Sequence, residues 1–528
     1  MVWKSYFVPL LFTLITTTCA ALGPVSELVL TNKIVSPDGF SRSASLINGQ
    51  TPGPVIAVNK DDYLRVNVVN ELDDPYQLRG ASIHWHGILQ KGTPQMDGTV
   101  GVTQCPISPG NSFEYAFPAT DAGTYWYHSH FGMQYCDGVR GVLVVYDPDD
   151  PLKLFYDIDN EQTIITLSEW YHTLVSSVRG PAQADSTLIN GKGRYPGGPN
   201  VDLAIVNVEQ GKRYRFRLVS ISCDPNFIFS IDSHDLTVIE VEGAAVRPYT
   251  INTIQILAGQ RYSVVLNAGQ PVGNYWIRAL PNSGHRHLSS DFTNGVNSAI
   301  LRYSGAPNTD PVSTQQATQR KLVETELHPM SSPFAPGSPT PDGADYVFNL
   351  TFDFDFTTFL FTVNGHSFKP PTVPVLLQIM SGARTAHELL PDGSVFVVER
   401  NKTVQVNMPS GLIGGPHPFH LHGHTFSVVR SADSGFFNFL DPVRRDVVNA
   451  GDTSGDYVSI RFTTDNPGPW IFHCHIDFHL EDGLAFVFAE APDAIKPIPP
   501  SDRDKLCPNW DSCWVNKYQI CLALGVAS

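Results

Sequence analysis

Four copies of a His-x-His pattern are the residues of this chain best suited to metal chemistry. They are His84-Trp85-His86, His128-Ser129-His130, His420-Leu421-His422 and His473-Cys474-His475. Residues i and i+2 of a β-strand share one face, so each pair could offer two imidazoles to one metal cluster. A single pair could be chance or a packed polar pair, but four pairs in apolar or aromatic settings indicate metal binding.

Three other histidines have weaker surroundings. His285 and His287 flank Arg286 in the polar stretch PNSGHRHLSSD, which is typical of a solvated loop. His424 follows His422 at i+2, but Gly423 separates them and no fifth pair is needed. These three are therefore not predicted to be ligands.

Cys474 separates the two histidines of the last pair, in the stretch WIFHCHIDFHLEDGL (470–484). If those histidines face one way along a strand, Cys474 faces the other and requires its own metal. His417, in PHPFHLHGH, and His479 are outside the four pairs. One Cys and two His form the ligand set of a blue-copper electron-transfer site. Zinc also accepts Cys and His but is redox-silent, whereas the backbone here joins Cys474 directly to both cluster histidines.

The elements that must position these side chains are predicted to be β-strands. Glycine (42) and proline (41) are abundant, and long amphipathic helices are hard to find. In RYRFRLVSI (213–221), apolar residues alternate with arginines, which predicts a strand with one buried face. TVIEVEG (237–243) and YSVVLNA (262–268) continue the pattern. Short strands with Gly/Pro turns predict an all-β fold of sandwiches or barrels.

The 528 residues suffice for about three domains of ~150 residues each. Asn48-Gly49, Asn190-Gly191 and Asn364-Gly365 follow Ile or Val at domain-sized intervals, although Asn-Gly is also a common turn pair. We predict domains at 21–151, 152–320 and 321–528, the last including a C-terminal tail. Residues 305–342 are rich in Pro, Ser and Thr, which indicates a linker or long surface segment.

The N-terminus and the charge predict a secreted chain. Residues 1–20 combine Lys4, an apolar run and Thr18-Cys19-Ala20, which is typical of a signal peptide cleaved after Ala20. The apolar run is shorter than the ~20 residues that span a bilayer. A net charge of −16 without a basic run makes nucleic acid or an anionic membrane a poor partner. Sequons at Asn349 and Asn401 fit glycosylation.

The cysteines of a secreted chain can form disulfides. Of eight cysteines, Cys19 leaves with the signal and Cys474 is assigned to a metal. The remaining six are Cys105, Cys136, Cys223, Cys507, Cys513 and Cys521. They allow three bridges, and spacing alone leaves the pairing open.

The motifs HWHG, HSH, HPFHLHGH and HCHIDFHLEDGL resemble, in order and spacing, the four copper motifs of the multicopper oxidases. The resemblance covers nearly the whole mature chain. GTYWYHSH, QYCDGVRG and NGHSFKPPTVPVLLQI are similar to stretches of the fungal laccases within that family. The resemblance implies three cupredoxin-like Greek-key β-domains and four copper ions per chain: one type 1, one type 2 and two type 3.

The resemblance also implies a role for each ligand. Type 2 copper would be bound by His84 and His420. The type 3 pair would be bound by His86, His128, His130, His422, His473 and His475. Type 1 copper would be bound by Cys474, His417 and His479. Pairs from the first and last domains would meet at their interface, while the middle domain would complete the substrate cleft.

Three further residues acquire roles from the resemblance. Leu484 would be the axial residue of type 1 copper; because leucine cannot coordinate, the potential should exceed that of a methionine-axial site. Asp224, by itself a turn residue before proline, would lie beside His479 and accept a substrate proton. Asp97, by itself also a turn residue, would help deliver protons to the trinuclear cluster.

The family pattern further implies disulfides Cys136–Cys223 and Cys105–Cys507. Cys513 and Cys521 lie in an unusual tail and depart from that pattern, so they would form a third bridge or exchange with Cys507.

The implied activity is that of a laccase: one-electron oxidation of phenols and aromatic amines, coupled to four-electron reduction of dioxygen to water. A ferroxidase is the nearest alternative, because Glu481 and Asp482 follow His479. A secreted copper-binding protein without turnover is another. Lignin breakdown, pigment synthesis and detoxification would all use the same coppers, and a monomer is expected.

Overall fold

The computed structural model describes residues 21–178, 183–282, 291–331, 333–496 and 503–516. The predicted signal peptide, His285, His287 and Cys521 lie outside the described residues, as does the side chain of Cys513. In the described part of the chain, no helix is both long and apolar enough to cross a membrane.

The N-terminal strands form a β-sandwich of two sheets. These strands are β1 (Val25–Val35), β2 (Arg42–Ile47), β3 (Gly53–Asn59), β4 (Tyr63–Asn70), β5 (His84–His86), β6 (Ser112–Pro118), β7 (Gly123–His128) and β8 (Arg140–Tyr146). The sheet orders are β2-β1-β4-β6 and β3-β8-β7-β5. Apolar side chains from both sheets, such as Leu64, Tyr115 and Leu143, share one buried core.

A second sandwich follows along the chain. Its strands are β9 (Ile164–Trp170), β10 (Ser186–Ile189), β11 (Ile205–Val208), β12 (Arg213–Ser220), β13 (Asn226–Ile231), β14 (Leu236–Val241), β15 (Ala244–Ile251), β16 (Ile254–Ile256), β17 (Arg261–Asn267), β18 (Asn274–Asn282) and β19 (Ser298–Tyr303). The sheet orders are β10-β9-β12-β17-β14-β15 and β11-β19-β18-β13-β16.

The third sandwich contains the C-terminal strands. They are β20 (Tyr346–Asn349), β21 (Phe352–Asp355), β22 (Leu360–Val363), β23 (Val395–Val398), β24 (Thr403–Pro409), β25 (Pro418–Leu421), β26 (Phe426–Arg430), β27 (Arg444–Arg445), β28 (Val447–Asn449), β29 (Tyr457–Thr463), β30 (Gly468–Cys474) and β31 (Ala485–Glu490). The main sheets have the orders β20-β24-β29-β26-β27 and β23-β31-β30-β25-β28, and β21 pairs with β22 in a separate hairpin.

Helices are short in the described residues. The α-helices are α1 (Val375–Met380), α2 (Asp477–Glu481) and α3 (Arg503–Asn516). Single turns of 3-10 helix occur at Pro94–Met96, Gln134–Asp137, Lys153–Phe155, Glu161–Thr163, Val175–Ser177, Thr293–Gly295, Glu324–Glu326, Ala386–Glu388 and Pro492–Ala494.

The three sandwiches repeat one pattern of strand pairing. In each, two parallel pairs occur among antiparallel neighbours: β1/β4 with β3/β8, β9/β12 with β11/β19, and β20/β24 with β23/β31. The three Asn-Gly pairs occupy equivalent two-residue turns in which both residues have positive φ, as in Asn48 (50°) and Gly49 (77°). This conformation suits Asn-Gly and matches the twist of the flanking strands. The all-β fold of three related cupredoxin-like sandwiches is confirmed.

One detail of the strand prediction is wrong. The stretch 213–221 does form β12, but both of its faces are buried rather than one. Arg215 donates to Asp150 at 2.8 Å, and Arg217 donates to Asp159 at 2.8 Å. The arginine face can be buried because carboxylates from neighbouring elements neutralise it.

Candidate metal centre

Four strands of the first and third sandwiches, together with the residues that directly follow them, carry the four histidine pairs. His84 on β5 lies opposite His128 on β7, and His420 on β25 lies opposite His473 on β30. The residue between the first two histidines, Trp85, points the other way and packs on Tyr115 in the core, with ring centroids 5.6 Å apart. The alternation of a strand therefore presents both imidazoles of a pair on one face.

The eight histidines gather in one buried cluster between the first and third sandwiches. Ring centroids of His84 and His422 are 3.8 Å apart, as are those of His86 and His420. His130 lies 5.2 Å from His473. Each of these contacts joins the first sandwich to the third, as the family resemblance implied.

Hydrogen bonds determine, for most of these rings, which nitrogen carries the proton and which is bare, that is, unprotonated and able to bind a metal. Nδ1 faces a backbone carbonyl oxygen at 2.8–3.0 Å in His84 (of Asp97), His128 (of Ser129), His420 (of Asp446) and His473 (of Cys474). A carbonyl oxygen only accepts, so Nδ1 must carry the proton. His422 Nδ1 likewise faces Asp97 Oδ2 at 2.9 Å. A neutral ring protonated at Nδ1 has a bare Nε2.

The bare nitrogens converge without partners that could satisfy them. Nε2 atoms of His422 and His473 are 3.2 Å apart, and Nε2 of His475 is 3.1 Å from Nδ1 of His86. Two lone pairs cannot hydrogen-bond to each other, so a cation between them would satisfy both. Buried Nε2 atoms of four further rings have no hydrogen-bond partner among the described residues: His84, His128, His130 and His420. This donor set fits metal ions.

Burial favours the neutral form of seven of the eight imidazoles, and a histidine metal ligand must be neutral. Desolvation, followed by the neighbouring imidazoles, lowers the pKa of six rings well below its usual value: His86, His128, His130, His420, His422 and His475. Burial also lowers the pKa of His473, to about 3.

Cys474 lies on the opposite face of β30, in a separate trio of donors. Its Sγ is 3.5 Å from Nδ1 of His417 and 3.7 Å from Nδ1 of His479, and the two nitrogens are 3.2 Å apart. A triangle of this size fits one ion with metal–nitrogen bonds of ~2.0 Å and a metal–sulfur bond of ~2.3 Å. Nε2 of His417 faces the carbonyl oxygen of Ile413 at 3.2 Å, which leaves its Nδ1 bare.

Leu484 belongs to the apolar surroundings of this trio. It is fully buried and shares a hydrophobic cluster with Cys474 and Phe419. Its backbone N–H donates to the carbonyl oxygen of His479 at 2.9 Å, and its carbonyl accepts from the N–H of Cys474 at 3.1 Å. The backbone of Leu484 thus ties two of the three donors together.

Asp224 is placed near the trio by covalent and hydrogen bonds of its neighbours. The preceding residue, Cys223, is bonded to Cys136, and its carbonyl accepts from the N–H of Asp477 at 2.8 Å. Asp477 begins α2, which carries His479. Asp224 makes no hydrogen bond to His479 among the described residues. Burial, and then the charge of Glu169, raise the pKa of Asp224 to about 7.

Asp97 lies fully buried beside the eight-histidine cluster. Its Oδ2 accepts from Nδ1 of His422 at 2.9 Å and from Oγ1 of Thr99 at 2.7 Å. Its carbonyl accepts from Nδ1 of His84. One residue thereby orients a ring from the first sandwich and a ring from the third.

Sequence reasoning missed Asp446. Its Oδ1 lies 3.1 Å from Nε2 of His86, and its carbonyl accepts from Nδ1 of His420. The residue stands in the stretch RRDVV, outside every histidine motif, so no sequence spacing connected it with the cluster.

Both disulfides expected from the family pattern are present. Cys105–Cys507 ties α3 to the first sandwich, and Cys136–Cys223 ties the first sandwich to the second. Cys474 is a free buried cysteine. Nε2 of His424, which was not predicted to be a ligand, lies 2.9 Å from Oε2 of Glu490.

A chain of aromatic residues begins at the half-buried His479. Its ring centroid is 4.7 Å from that of Phe361 on β22, which lies 4.8 Å from Phe354 on β21. Phe354 in turn contacts Phe356 at 5.0 Å, and Phe356 is 70% exposed. A path of aromatic surfaces therefore runs from this ligand candidate to solvent.

Comparison with known proteins agrees with this geometry. Three multicopper oxidase family models match residues 29–150, 161–306 and 368–494. Laccase-2 of Pleurotus ostreatus is 55% identical over 505 residues, which are 93% of this chain and 94% of that protein.

Two solved structures are also similar in fold. The laccase of Botrytis aclada has a TM-score of 0.80 and 31% identity, with 93% of this chain and 92% of that chain covered. Fet3p, described as a multicopper oxidase that functions in iron import, has a TM-score of 0.78 and 26% identity, with 93% and 95% covered. The chain therefore belongs to the multicopper oxidase family and is an oxidoreductase of the laccase type.

Proposed function

We propose that this laccase takes electrons from phenols and aromatic amines beside His479 and reduces dioxygen to water within the eight-histidine cluster. The observation that carries the proposal is the position of Cys474. It belongs to one set of donors, while its sequence neighbours His473 and His475 belong to the other. The two sets therefore lie on opposite faces of the same stretch of chain, linked by single peptide bonds.

Four copper ions would satisfy these donors. His84 and His420 would hold type 2 copper, and Cys474, His417 and His479 would hold type 1. The type 3 pair would be held by His86, His128, His130, His422, His473 and His475. Copper supplies one-electron chemistry at the Cys474 trio and a four-electron store overall, which matches one dioxygen to four phenols.

The trio suits an aromatic electron donor. His479 is the one member of the trio that reaches the surface, and the aromatic path through Phe361 and Phe354 leads to it. Aromatic faces pack favourably on such rings. Asp224 is the nearby carboxylate that would take the proton of the phenol, and a pKa of about 7 suits a general base near neutral pH. Asp97, in contact with His422, would pass protons to the oxygen-reducing cluster.

Oxidation of ferrous iron is a second candidate, because Glu481 and Asp482 follow His479 and because of the likeness to Fet3p. A ferrous site requires ionised carboxylates. Burial raises the pKa of Glu481 and raises that of Asp482 to about 6, so Asp482 is largely ionised at pH 7 but loses its charge below about pH 6. The contact of His479 with Phe361, and the aromatic path that continues through Phe354, favour organic substrates over iron.

The remaining expectations also belong to this proposal. The chain would be secreted as a monomer after cleavage at Ala20, with domains at 21–151, 152–320 and 321–528. Glycans would be attached at Asn349 and Asn401, which are both exposed. Non-reducing peptide mapping would show whether Cys513 and Cys521 pair.

Oxygen uptake by the copper-loaded protein tests the function, with a methoxyphenol and ferrous iron compared side by side. We expect fast uptake with the phenol at one dioxygen per four phenols. Uptake mainly with iron would move the function to a ferroxidase. No uptake by protein of verified copper content would support a copper-binding protein without turnover.

A further inference from the structure

Among the described residues of the second sandwich, no histidine joins the cluster, yet three residues contact the cluster or the segment that supports it. These are Glu242, Gly259 and Arg261. We propose that Arg261 is a positioning residue for the trinuclear copper site, acting through Asp446 on His86 and His420. The inference rests on the ligand assignment made under the proposed function.

Arg261 and Asp446 form a fully buried, two-pronged ion pair. Nη1 of Arg261 donates to Oδ1 of Asp446 and Nη2 donates to Oδ2, each at 2.6 Å. Such fork-to-fork pairing fixes the plane of the carboxylate as well as its charge. The same Oδ1 lies 3.1 Å from Nε2 of His86, so the orientation of Asp446 sets the orientation of that ring.

Asp446 also holds a ring from the third sandwich. Its carbonyl oxygen accepts from Nδ1 of His420 at 2.8 Å, and the rings of His86 and His420 are stacked 3.8 Å apart. One residue therefore positions a histidine from each side of the interface. Partners of this kind fix the tautomer and direction of metal-binding imidazoles.

Arg261 is itself held from two sides. Its Nε donates to the carbonyl of Thr124 in the first sandwich at 3.0 Å, and its Nη1 donates to the carbonyl of Gly259 at 3.0 Å. Gly259 has φ +83°, and a Cβ there would lie 2.9 Å from Cε1 of His86 and 3.0 Å from Cδ2 of His475. The turn at Gly259, which directly precedes Arg261, thus lies against two of the proposed ligands.

Glu242 holds the backbone on which Asp446 stands. Its Oε2 accepts from the N–H groups of Asp446 at 2.7 Å and of Val447 at 2.9 Å. Its Oε1 accepts from Nη2 of Arg445 at 2.7 Å. The second sandwich therefore holds both the side chain and the main chain of Asp446, and all three sandwiches meet at this point.

The test is the substitution Arg261→Gln in the full copper-loaded protein. Partners of metal ligands typically contribute 10–100-fold to metal affinity. In this variant we expect the cluster to bind copper at least about tenfold more weakly than the wild type does, as measured by competition with a chelator. We also expect the type 2 electron paramagnetic resonance signal to change. The blue absorption of the Cys474 trio should persist, because Arg261 does not contact that trio. Arg261→Lys, which keeps the charge but loses the fork, should lie in between.

Arg278→Gln is the matched control. Arg278 is buried in the same sandwich and makes a two-pronged contact with Asp232 through Nε and Nη2, each at 2.7 Å. Asp232, unlike Asp446, contacts no histidine of the cluster. Arg278→Gln should keep the signal and copper retention of the wild type. Equal behaviour of the Arg261→Gln and Arg278→Gln variants would overturn the proposal. If neither variant folds, a wild-type signal in the Arg261→Lys variant would overturn it.

A separate variant distinguishes failure of this inference from failure of the ligand assignment. His86→Ala should lose type 3 copper whatever the role of Arg261. Full retention of copper in that variant would refute the assignment itself, and the inference with it.

Discussion

Replacing Asp224 with asparagine should affect phenol oxidation and stability in opposite directions. The carboxylate is half-buried, and burial together with Glu169 raises its pKa from 3.8 to about 7. Asparagine keeps the shape but cannot accept a proton as a carboxylate does. If Asp224 takes the phenolic proton, the substitution should slow phenol turnover by about 100-fold at pH 7, the lower end for general bases, because water can reach a half-buried site.

The pH profile provides a sharper readout. In the wild type, kcat/KM for a methoxyphenol should rise with pH until Asp224 is ionised near pH 7, and this limb should vanish in the variant. Oxidation of ferrocyanide releases no proton, so the Asp224→Asn variant should oxidise it at nearly the wild-type rate. Unchanged phenol kinetics at every pH would refute the role of Asp224. Equal slowing of both substrates would show damage to the Cys474 trio instead.

The same pKa makes a prediction for stability. A carboxyl whose pKa is raised in the fold binds its proton more tightly there than in the unfolded chain. The free energy of unfolding therefore falls as pH rises from 3.8 to about 7, by at most about 4 kcal/mol. Asp224→Asn should lack this loss and be more stable than the wild type at pH 7. Chemical denaturation at pH 4 and pH 7 measures the difference, and equal stability of the two proteins at pH 7 would contradict the raised pKa of Asp224.

Three further substitutions test separate parts of the site. Leu484→Met should lower the type 1 potential in a redox titration, because sulfur can coordinate where leucine cannot; no change or a rise would refute the axial assignment. Asp97→Asn should slow oxygen reduction by about 10–100-fold while reduction of type 1 copper by the phenol stays normal, and a normal oxygen rate would argue against proton delivery. Gly259→Ala should weaken cluster copper without bleaching the blue absorption, because a Cβ at φ +83° would meet His86 at 2.9 Å; full copper retention would count against that contact.

The part of the site that depends on strand alternation was predictable from the sequence. A period of two places His84 and His86 on one face and Trp85 in the core, and it separates Cys474 from its neighbours. The three Asn-Gly turns indicated the repeat because their positive φ angles require such residues.

Long-range polar contacts were beyond the sequence. Asp446 reaches the cluster from a stretch with no histidine, and its partner Arg261 lies in a different sandwich. The burial of both faces of β12 was missed for the same reason, because Asp150 and Asp159 come from outside the strand. Ion pairs between distant segments leave no periodic signal, so only the assembled fold shows them.

Copper content measured together with the blue absorption tests the central claim, that one strand separates two copper sites. The account predicts four coppers per chain in the wild type. In a Cys474→Ser variant it predicts three coppers and no blue absorption, with the type 2 resonance signal intact. Two or fewer coppers in the fully loaded wild type, or a blue band that survives in the variant, would contradict it.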